Sequence, residues 1–253
     1  MTRIILNGCN GKMGQVISRL VANDDDCEIV AGIDINDCLP NTYPVFTAFD
    51  DCNTDADVIV DFSHPSAFDS LVAFAKARHI PLIVATTGLS SEQREVLKTI
   101  SAELPVFFSA NMSLGINLLI SLAKKAAAVL SDNFDIEIIE QHHNQKIDAP
   151  SGTALAIADG INEVLDAPYE YVYDRHNVRR KRKKPEIGLH AVRGGTIVGK
   201  HDVIFAGCDE IIELKHEASS KEVFAVGAVK AAKYMTGKPD GYYSMDDLIG
   251  ECL

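Results

Sequence analysis

One short segment, residues 140–154, holds the densest group of chemically active side chains in the sequence. His142 can transfer a proton, because the pKa of an imidazole lies near the physiological range. His143 and Lys146 can supply positive charge to a carboxylate. Ser151–Thr153 offers hydroxyls and free backbone N–H groups at a predicted helix start, which is a ready anion site. The segment is therefore suited to holding an anion beside a proton donor.

Simpler interpretations of single residues in this segment stay open. The pair His142–His143 is compatible with a metal site, but no third ligand stands at a telling spacing, so we predict no metal. Ser151 could cap its helix as well as bind a ligand. Lys146, taken alone, could be an ordinary surface lysine. The concentration of these residues in one segment favours a functional cluster.

A glycine-rich loop follows the first predicted strand and opens the first predicted helix. Its residues are Gly8, Cys9, Asn10, Gly11, Lys12, Met13 and Gly14. In dinucleotide-binding folds such glycines permit a tight turn, a close approach of the backbone to a pyrophosphate, and close helix–strand packing. Asn10 stands where the common G-x-G-x-x-G pattern has its second glycine, so a plain strand-to-helix turn is the alternative interpretation.

Asp34 ends the second predicted strand, where dinucleotide-binding folds place an acidic residue that binds the adenosine ribose. A carboxylate at this position repels the 2′-phosphate of NADPH, and the next residue, Ile35, adds no compensating charge. We therefore predict a preference for NADH over NADPH. Lys12 lies in the loop near the same ribose and could support some NADPH binding. A solvated strand end is the alternative for Asp34.

Strand and helix patterns alternate along the first half of the chain. Continuous apolar runs predict strands at residues 4–6, 28–34, 58–62, 81–85 and 106–108. Helical periodicity is found at residues 14–22, 65–77 and 91–102. Apolar strands that are each followed by a helix indicate a parallel sheet covered on both faces. The predicted fold class is α/β, with a Rossmann-like doubly wound parallel sheet.

The pattern changes after residue 112. Helices are predicted over residues 114–130, 153–165 and 221–235. Strands are predicted over residues 134–140, 189–192, 196–198, 203–205 and 211–216, and a turn over residues 237–241. We predict a dinucleotide-binding domain formed by residues 1–112 and 221–253. Residues 113–220 would form an α+β domain for substrate binding and oligomerisation.

The segment from His142 to Ala154 closely resembles the signature of the 4-hydroxy-tetrahydrodipicolinate reductase family, also called dihydrodipicolinate reductases. The resemblance extends over essentially the whole chain. Other matching stretches are Gly8–Gly14, Asp61–Ser63, Ala85–Gly88, Ser109–Ser113, Arg193–Gly195, Val198–His201 and Gly241–Met245. Ala85 replaces the glycine that is usual in the family.

This resemblance implies an enzyme of lysine and diaminopimelate biosynthesis. The reaction would reduce a cyclic hydroxy-tetrahydrodipicolinate to tetrahydrodipicolinate, with loss of water and a hydride from NADH or NADPH. His142 matches the family's proton donor and acceptor, and Lys146 matches its second proton donor. The expected substrate-binding residues are His143, Ser151, Gly152 and Thr153. The family also implies a homotetramer assembled through the sheet of the second domain.

The resemblance adds cofactor residues to the glycine loop and Asp34. They are Ala85, Thr86, Thr87, Ser109, Ala110, Asn111, Met112, Lys221 and Phe224. The threonines and Ser109–Met112 match positions near the nicotinamide end of the cofactor. Lys221 stands where many members have arginine, and a lysine lacks the planar guanidinium fork, so we expect a weaker contact there.

Composition excludes several function classes. Acidic residues number 36 and basic residues 24, and the formal net charge of −12 makes general binding to nucleic acid or to an anionic membrane unfavourable. No apolar run reaches the ~20 residues of a membrane span. Six scattered cysteines, without a Cys-x-x-Cys pair, favour a reduced cytoplasmic compartment. The basic run Arg179–Lys184 is predicted to be a solvated loop.

Two rival functions stay open. One is a nicotinamide-dependent amino-acid or semialdehyde dehydrogenase, against which the segment at residues 142–153 argues. The other is a redox-sensing module that binds a dinucleotide without catalysis. A dedicated DNA-binding element would support the sensor, but the sequence carries no helix-turn-helix signal and no basic recognition helix.

Overall fold

The computed structural model describes residues 1–251; residues 252 and 253, the end of the predicted dinucleotide-binding domain, lie outside the described residues. The chain divides into two compact units. The first consists of Met1–Leu114 and the chain from Glu222 onwards, and the second is Gly115–Lys221.

Strands and helices are numbered along the described chain. The strands are β1 (Thr2–Asn7), β2 (Cys27–Ile33), β3 (Val45–Phe46), β4 (Val58–Asp61), β5 (Leu82–Val84), β6 (Pro105–Phe108), β7 (Asp135–His142), β8 (Glu170–Val172), β9 (Glu186–Arg193), β10 (Gly199–Ala206), β11 (Ile211–Ala218) and β12 (Gly241–Tyr243). The helices are α1 (Lys12–Val21), α2 (Phe68–Arg78), α3 (Ser91–Ile100), α4 (Leu114–Leu130), α5 (Gly152–Asn162), α6 (Glu222–Met235) and α7 (Met245–Gly250).

The first unit is built on a parallel sheet in the order β12-β6-β5-β4-β1-β2-β3. Alternate strand residues point to opposite faces, so Ile4 packs in the core beneath α1 and α6, whereas Ile5 packs beneath α2 and α3. The chain winds outward in opposite directions from β1 and β4. Ligands of doubly wound sheets bind at such a switch point, outside the carboxyl ends of the strands.

The second unit contains a mixed sheet in the order β11-β10-β7-β9-β8. Strand β10 runs antiparallel to β7 and β11, whereas β7, β9 and β8 are parallel. Helices α4 and α5 cover one face, where Ile136, Ile138, Val203 and Phe205 are fully buried. The other face of β7 is half-exposed, which explains the period of two in its sequence.

Several predicted elements differ from the structure. Residues 196–198 form no strand: they lie in a turn region where Gly195 has a φ of +48°, and the backbone N–H of Gly194 donates to the His142 carbonyl at 2.9 Å. The next strand, β10, then runs unbroken from Gly199. The predicted turn at residues 237–241 ends in strand β12, because Gly241 already pairs with β6. The short strands β3 and β8 carry too few residues for a periodic signal.

The basic run Arg179–Lys184 is a loop, as predicted, but the prediction that it is solvated is wrong for Arg182. The Arg182 guanidinium donates to Glu137 and Asp135, each at 3.0 Å, and to the Ile136 carbonyl at 3.0 Å. Its side chain is 17% exposed. Arg182 therefore binds the loop to the start of β7 through these hydrogen bonds.

In the described part of the chain, residues 1–251, no helix has both the length and the apolar character that crossing a membrane requires. The most apolar helix, α4, carries Lys124 and Lys125 near its middle.

Candidate active site

The glycine-rich loop lies at the switch point of the first unit, between the end of β1 and the start of α1. Gly8 has a φ of +80°, and a Cβ at this position would lie 2.5 Å from the Phe62 carbonyl oxygen. A Cβ at Gly14 would lie 2.2 Å from the Gly8 carbonyl oxygen. Both positions therefore require glycine. Helix α1 begins after Gly11 with no side-chain cap and no acidic residue in its first turn, which leaves its N–H groups for an anion.

Asp34 follows directly after β2 and faces this loop. Its carboxylate accepts hydrogen bonds from the backbone N–H groups of Asn10 at 2.9 Å and of Asn36 at 3.0 Å. A cavity of about 810 Å³ opens beside it, lined by Gly8, Gly11 and Asp34 among others. Among the described residues that line this cavity, none is Lys or Arg. The loop and Asp34 thus share one cavity.

The side chains of two residues predicted to bind cofactor pack against the core of the first unit. Cys9 is fully buried, burial raises the pKa of its thiol to about 11, and its sulfur packs against Gly32 of β2. Met13 packs on the core of the first unit. Cys9 therefore offers only its backbone to a ligand, whereas the Met13 side chain is half-buried. Asn10 and Lys12 are half-buried and exposed, respectively.

The other predicted cofactor residues follow the ends of β5 and β6 or begin α6. Thr86 is buried and its hydroxyl accepts from the Ser63 N–H at 3.0 Å, whereas Thr87 is exposed. Ser109 donates to the Asn111 carbonyl at 2.8 Å and orders that loop. Lys221 is exposed. The remaining residues are Ala85 and Met112, which are buried, Ala110, which is exposed, and Phe224, which packs on the core.

A buried network beneath this edge of the sheet joins the ends of β1 and β4. The Asp61 carboxylate accepts from Asn7 Nδ2 at 2.8 Å and from the Ser63 hydroxyl at 2.6 Å. Burial raises the pKa of Asp61, and these hydrogen bonds oppose that effect. The network fixes the strand ends on either side of the switch point.

In the second unit, His142 ends β7 on the buried face of the sheet. Its Nδ1 donates to Glu140 Oε2 at 2.6 Å, since a carboxylate can only accept. Glu140 is fully buried, and both of its oxygens also accept from the guanidinium of Arg193 at 2.7 Å. Burial alone would raise the pKa of Glu140, but the bonds from Arg193, His142 and the Ser151 N–H hold it below its usual value. The carboxylate therefore stays ionised beside the imidazole.

Ser151 caps α5, as its alternative interpretation expects. Its hydroxyl accepts from the Ala154 N–H at 3.1 Å. Gly152 and Thr153 form the first turn of this helix, which contains no acidic residue. A Cβ at Gly152 would meet nothing within 4 Å, so open space lies above this helix start. The helix terminus offers partial positive charge to an anion.

Lys146 and Asp148 lie in the loop between β7 and α5. Their ammonium and carboxylate groups are 2.9 Å apart, and this hydrogen bond lowers the pKa of Asp148. A second oxygen of Asp148 accepts from the Gly152 N–H at 3.4 Å. The backbone N–H of Lys146 donates to the His143 carbonyl, and the His143 ring is half-buried. The Asp148 carboxylate thus bridges the Lys146 ammonium and the start of α5, so both lie within reach of a single carboxylate.

His201 of β10 completes the surroundings of His142. The two rings meet edge to face with centroids 5.2 Å apart, and His201 Nε2 lies 3.3 Å from the Ser151 hydroxyl. Burial lowers the pKa of His201 to about 4, so it is neutral at physiological pH. Among the described residues, no group of three or more His, Cys, Asp or Glu side chains could hold a metal ion.

Comparison with known proteins assigns the family. Sequence models of the N- and C-terminal parts of dihydrodipicolinate reductase match residues 2–112 and 115–249. The chain belongs to the dihydrodipicolinate reductase family. The 4-hydroxy-tetrahydrodipicolinate reductases of Caldanaerobacter subterraneus and Clostridium novyi are 54% and 51% identical to it over 249 residues, and each alignment covers 98% of both sequences.

Solved structures agree with this family. A dipicolinate-bound dihydrodipicolinate reductase from a Paenisporosarcina species superimposes with a TM-score of 0.82 at 25% identity, over 96% of this chain and 97% of that one. A myo-inositol dehydrogenase from Corynebacterium glutamicum reaches a TM-score of 0.61 at 17% identity, over 95% and 90% of the two chains, and is similar in fold alone.

Sequence reasoning assigned no role to three side chains in this member of the dihydrodipicolinate reductase family. Glu140 could have been found, because it stands two residues before His142 in an alternating strand and must share its face. Arg193 and His201 come from β9 and β10. Their proximity to His142 depends on the strand register, which no local pattern reveals.

Proposed function

We propose that this chain is a 4-hydroxy-tetrahydrodipicolinate reductase, which reduces its cyclic substrate to tetrahydrodipicolinate in lysine and diaminopimelate biosynthesis. The observation that carries the proposal is a proton donor, His142, held by a buried carboxylate in the unit that also contains the cation Lys146 and the start of α5. Membership of the family supplies the substrate class.

The residues of the first unit fit a nicotinamide dinucleotide. Glycine is required at Gly8 and Gly14, because a Cβ at either position would collide with backbone oxygens. The uncapped start of α1 suits a pyrophosphate, and Asp34 suits a ribose. The loop after β6 and the threonines after β5 would hold the nicotinamide end. When bound, this group supplies the hydride.

Proton transfer is the task of the second unit. Hydride addition to a conjugated imine leaves negative charge, which an acid must neutralise. Because Glu140 holds His142 Nδ1, the opposite ring nitrogen, Nε2, is the atom that donates. The Lys146 ammonium is the second proton donor. His201 is neutral and adds no competing charge beside the imidazolium.

Substrate carboxylates bind at the start of α5. The N–H groups of Gly152 and Thr153 and the Thr153 hydroxyl, together with His143 and Lys146, would hold one carboxylate, while Ser151 caps the helix. Such local positive charge is needed because the protein as a whole carries a net charge of −12. Dipicolinate, which is bound in the Paenisporosarcina relative, would act here as an unreactive competitor of the substrate.

The cofactor preference is for NADH. Asp34 lines the cavity, Ile35 beside it is 96% exposed, and the described lining residues include neither Lys nor Arg to meet a 2′-phosphate. Lys12 is exposed at the start of α1 and is the nearest candidate to support NADPH. The preference follows from the charge of Asp34, which only a local cation could offset.

The assembly is a homotetramer, formed through the sheet of the second unit. The side of β11 that α4 and α5 leave uncovered exposes Ile211, and Val192 of β9 is 45% exposed. Light scattering on the purified protein would give the mass of four chains. The compartment is the cytoplasm, in keeping with the unpaired state of the described cysteines.

The test mixes purified protein with freshly generated 4-hydroxy-tetrahydrodipicolinate and follows nicotinamide absorbance, with NADH and NADPH in separate reactions. Substrate-dependent oxidation, faster with NADH and inhibited competitively by dipicolinate, supports the proposal. Oxidation with aspartate semialdehyde or an amino-acid-derived imine instead would favour a different dehydrogenase. NADH binding without any oxidation would favour the redox-sensing module.

A further inference from the structure

Glu140 is a fully buried carboxylate in the second unit that accepts four hydrogen bonds. Four N–H groups converge on its two oxygens: His142 Nδ1, two nitrogens of Arg193, and the Ser151 backbone N–H. The distances lie between 2.6 and 2.9 Å. No solvent reaches the residue, since its exposure is 0%. A buried carboxylate with several hydrogen bonds is held in one position and one charge state.

This carboxylate determines which ring nitrogen of His142 is free. A carboxylate only accepts, so Nδ1 carries a proton and Nε2 is the exchangeable position. Nε2 faces Gly199, where a Cβ would lie 3.1 Å away. The glycine therefore leaves room beside the reactive nitrogen.

The charges around His142 come from every element packed against it. Glu140 lies on its own strand, Arg193 lies directly opposite on β9, and His201 lies on β10. Lys146 lies in the loop that follows β7. Glu140 is the anion that bonds directly to the ring, and Arg193 keeps its carboxylate ionised. The charge of Lys146 is paired with that of Asp148.

Glu140 also joins the proton donor to the predicted substrate anchor. The oxygen that does not bind His142 accepts from the Ser151 N–H at 2.9 Å. Arg193 donates in addition to the Asp148 carbonyl at 2.6 Å. One ion pair thus fixes the end of β7, the loop that carries Lys146 and the start of α5.

We propose that Glu140, supported by Arg193, is a positioning residue for the reaction: its hydrogen bond to Nδ1 orients the His142 ring so that Nε2 faces the substrate. The inference rests on the proposed function, in which His142 is the proton donor. A buried ion pair with a purely structural role is the competing explanation, because such pairs contribute to local order in many proteins.

The test compares Glu140→Gln with wild type in kcat, KM and pH dependence. The amide keeps the shape of the side chain and removes its charge. We expect kcat to fall roughly 10- to 100-fold, part of the ~10²–10⁴ that a positioned general acid contributes, with KM changed less than about 3-fold. A general acid loses activity as pH rises and its proton is lost, and an imidazolium without the adjacent anion loses its proton more readily. The descending, high-pH limb of the kcat profile should therefore move to lower pH. Glu140→Asp should restore the position of that limb.

The matched control is Glu137→Gln. Glu137 lies on the same strand and binds Arg182 and His190, but it does not contact His142. The kcat of Glu137→Gln and the position of the descending limb of its pH profile should be those of wild type. The double variant Glu140→Gln with His142→Gln measures the coupling between the two side chains. If Glu140 acts through His142, adding Glu140→Gln to the His142→Gln variant should lower its residual rate by less than about 3-fold. Equal losses in both backgrounds, or a fall in kcat without movement of the limb, would overturn the proposal.

A measurement on wild-type protein keeps the proposal falsifiable if the Glu140 variants do not fold. Nitrogen-15 NMR of labelled histidine rings, with His142 assigned by the signal missing in His142→Gln, reports which ring nitrogen carries hydrogen when the ring is neutral. The proposal requires hydrogen on Nδ1; hydrogen on Nε2 would contradict it. This result does not depend on turnover. An inactive wild type would therefore count against the proposed function, whereas the position of the hydrogen on the His142 ring tests the role of Glu140.

Discussion

Replacing Asp34 by asparagine should weaken the preference for NADH over NADPH. The substitution keeps one oxygen that can accept from the Asn10 N–H, which now binds the carboxylate at 2.9 Å. It removes the charge and the acceptor of the Asn36 N–H, which is exposed. A 2′-phosphate beside that ribose would lie about 5 Å from the carboxylate and carry about two negative charges. In the dielectric of water their repulsion is about 1.7 kcal/mol, or roughly 15-fold in binding.

The assay is steady-state reduction of 4-hydroxy-tetrahydrodipicolinate, with kcat/KM measured separately for each nucleotide at low and high salt. The ratio of NADH to NADPH efficiency should fall about 10-fold in Asp34→Asn, mainly through better use of NADPH, and the fall should be smaller at high salt. Asp37→Asn is the matched control, because Asp37 is exposed nearby and does not line the cavity. A change in the ratio of less than about 2-fold, or an equal change in Asp37→Asn, would show that the Asp34 charge does not set the preference.

Three further outcomes follow from the structure. Lys146→Ala should lower kcat/KM by roughly 10²-fold without changing the NADH dissociation constant, because the ammonium is lost from the second unit alone; near-normal kinetics would remove its role. Gly14→Ala should destabilise the fold by about 1–3 kcal/mol through a collision with backbone, seen as a lower Tm, whereas Gly250→Ala, with nothing within 4 Å, should not. The hydrogen bond from Arg175 lowers the pKa of Glu186 to about 2, so its contribution to stability is complete above the unfolded value of 4.5 and is lost as pH falls towards 2. Acid unfolding of Glu186→Gln should accordingly depend less on pH over that interval, and an unchanged dependence would contradict the assignment.

Local patterns were sufficient for the parallel sheet and its glycine loop. The apolar runs of β1, β2 and β4 are continuous because both faces of that sheet are covered, and this is visible without any partner strand. The position of Asp34 could be predicted for the same reason, because it depends only on where the second strand ends; its role in binding a ribose stays a prediction. The structure places Asp34 against Asn10.

Contacts between distant strands could not be predicted. Arg193 meets Glu140 because β9 pairs with β7 in one register, and 53 residues of sequence separate the two. His201 reaches His142 through the register of β10. The strand predicted at residues 196–198 is absent for a related reason. These residues follow Gly195 in a turn, and the Gly194 N–H at that turn donates to the carbonyl oxygen of His142, which is distant in sequence.

The role of His142 as proton donor in the reduction of 4-hydroxy-tetrahydrodipicolinate can be tested directly. Substrate-dependent NADH oxidation is measured for wild type and for His142→Gln, together with the NADH dissociation constant and Tm of both proteins. We expect rapid oxidation by wild type and a loss of roughly 10²-fold or more in the variant, with NADH binding and Tm unchanged. Equal rates in the two proteins, or a folded wild type that binds NADH and does not oxidise it with this substrate, would show that His142 does not have this role.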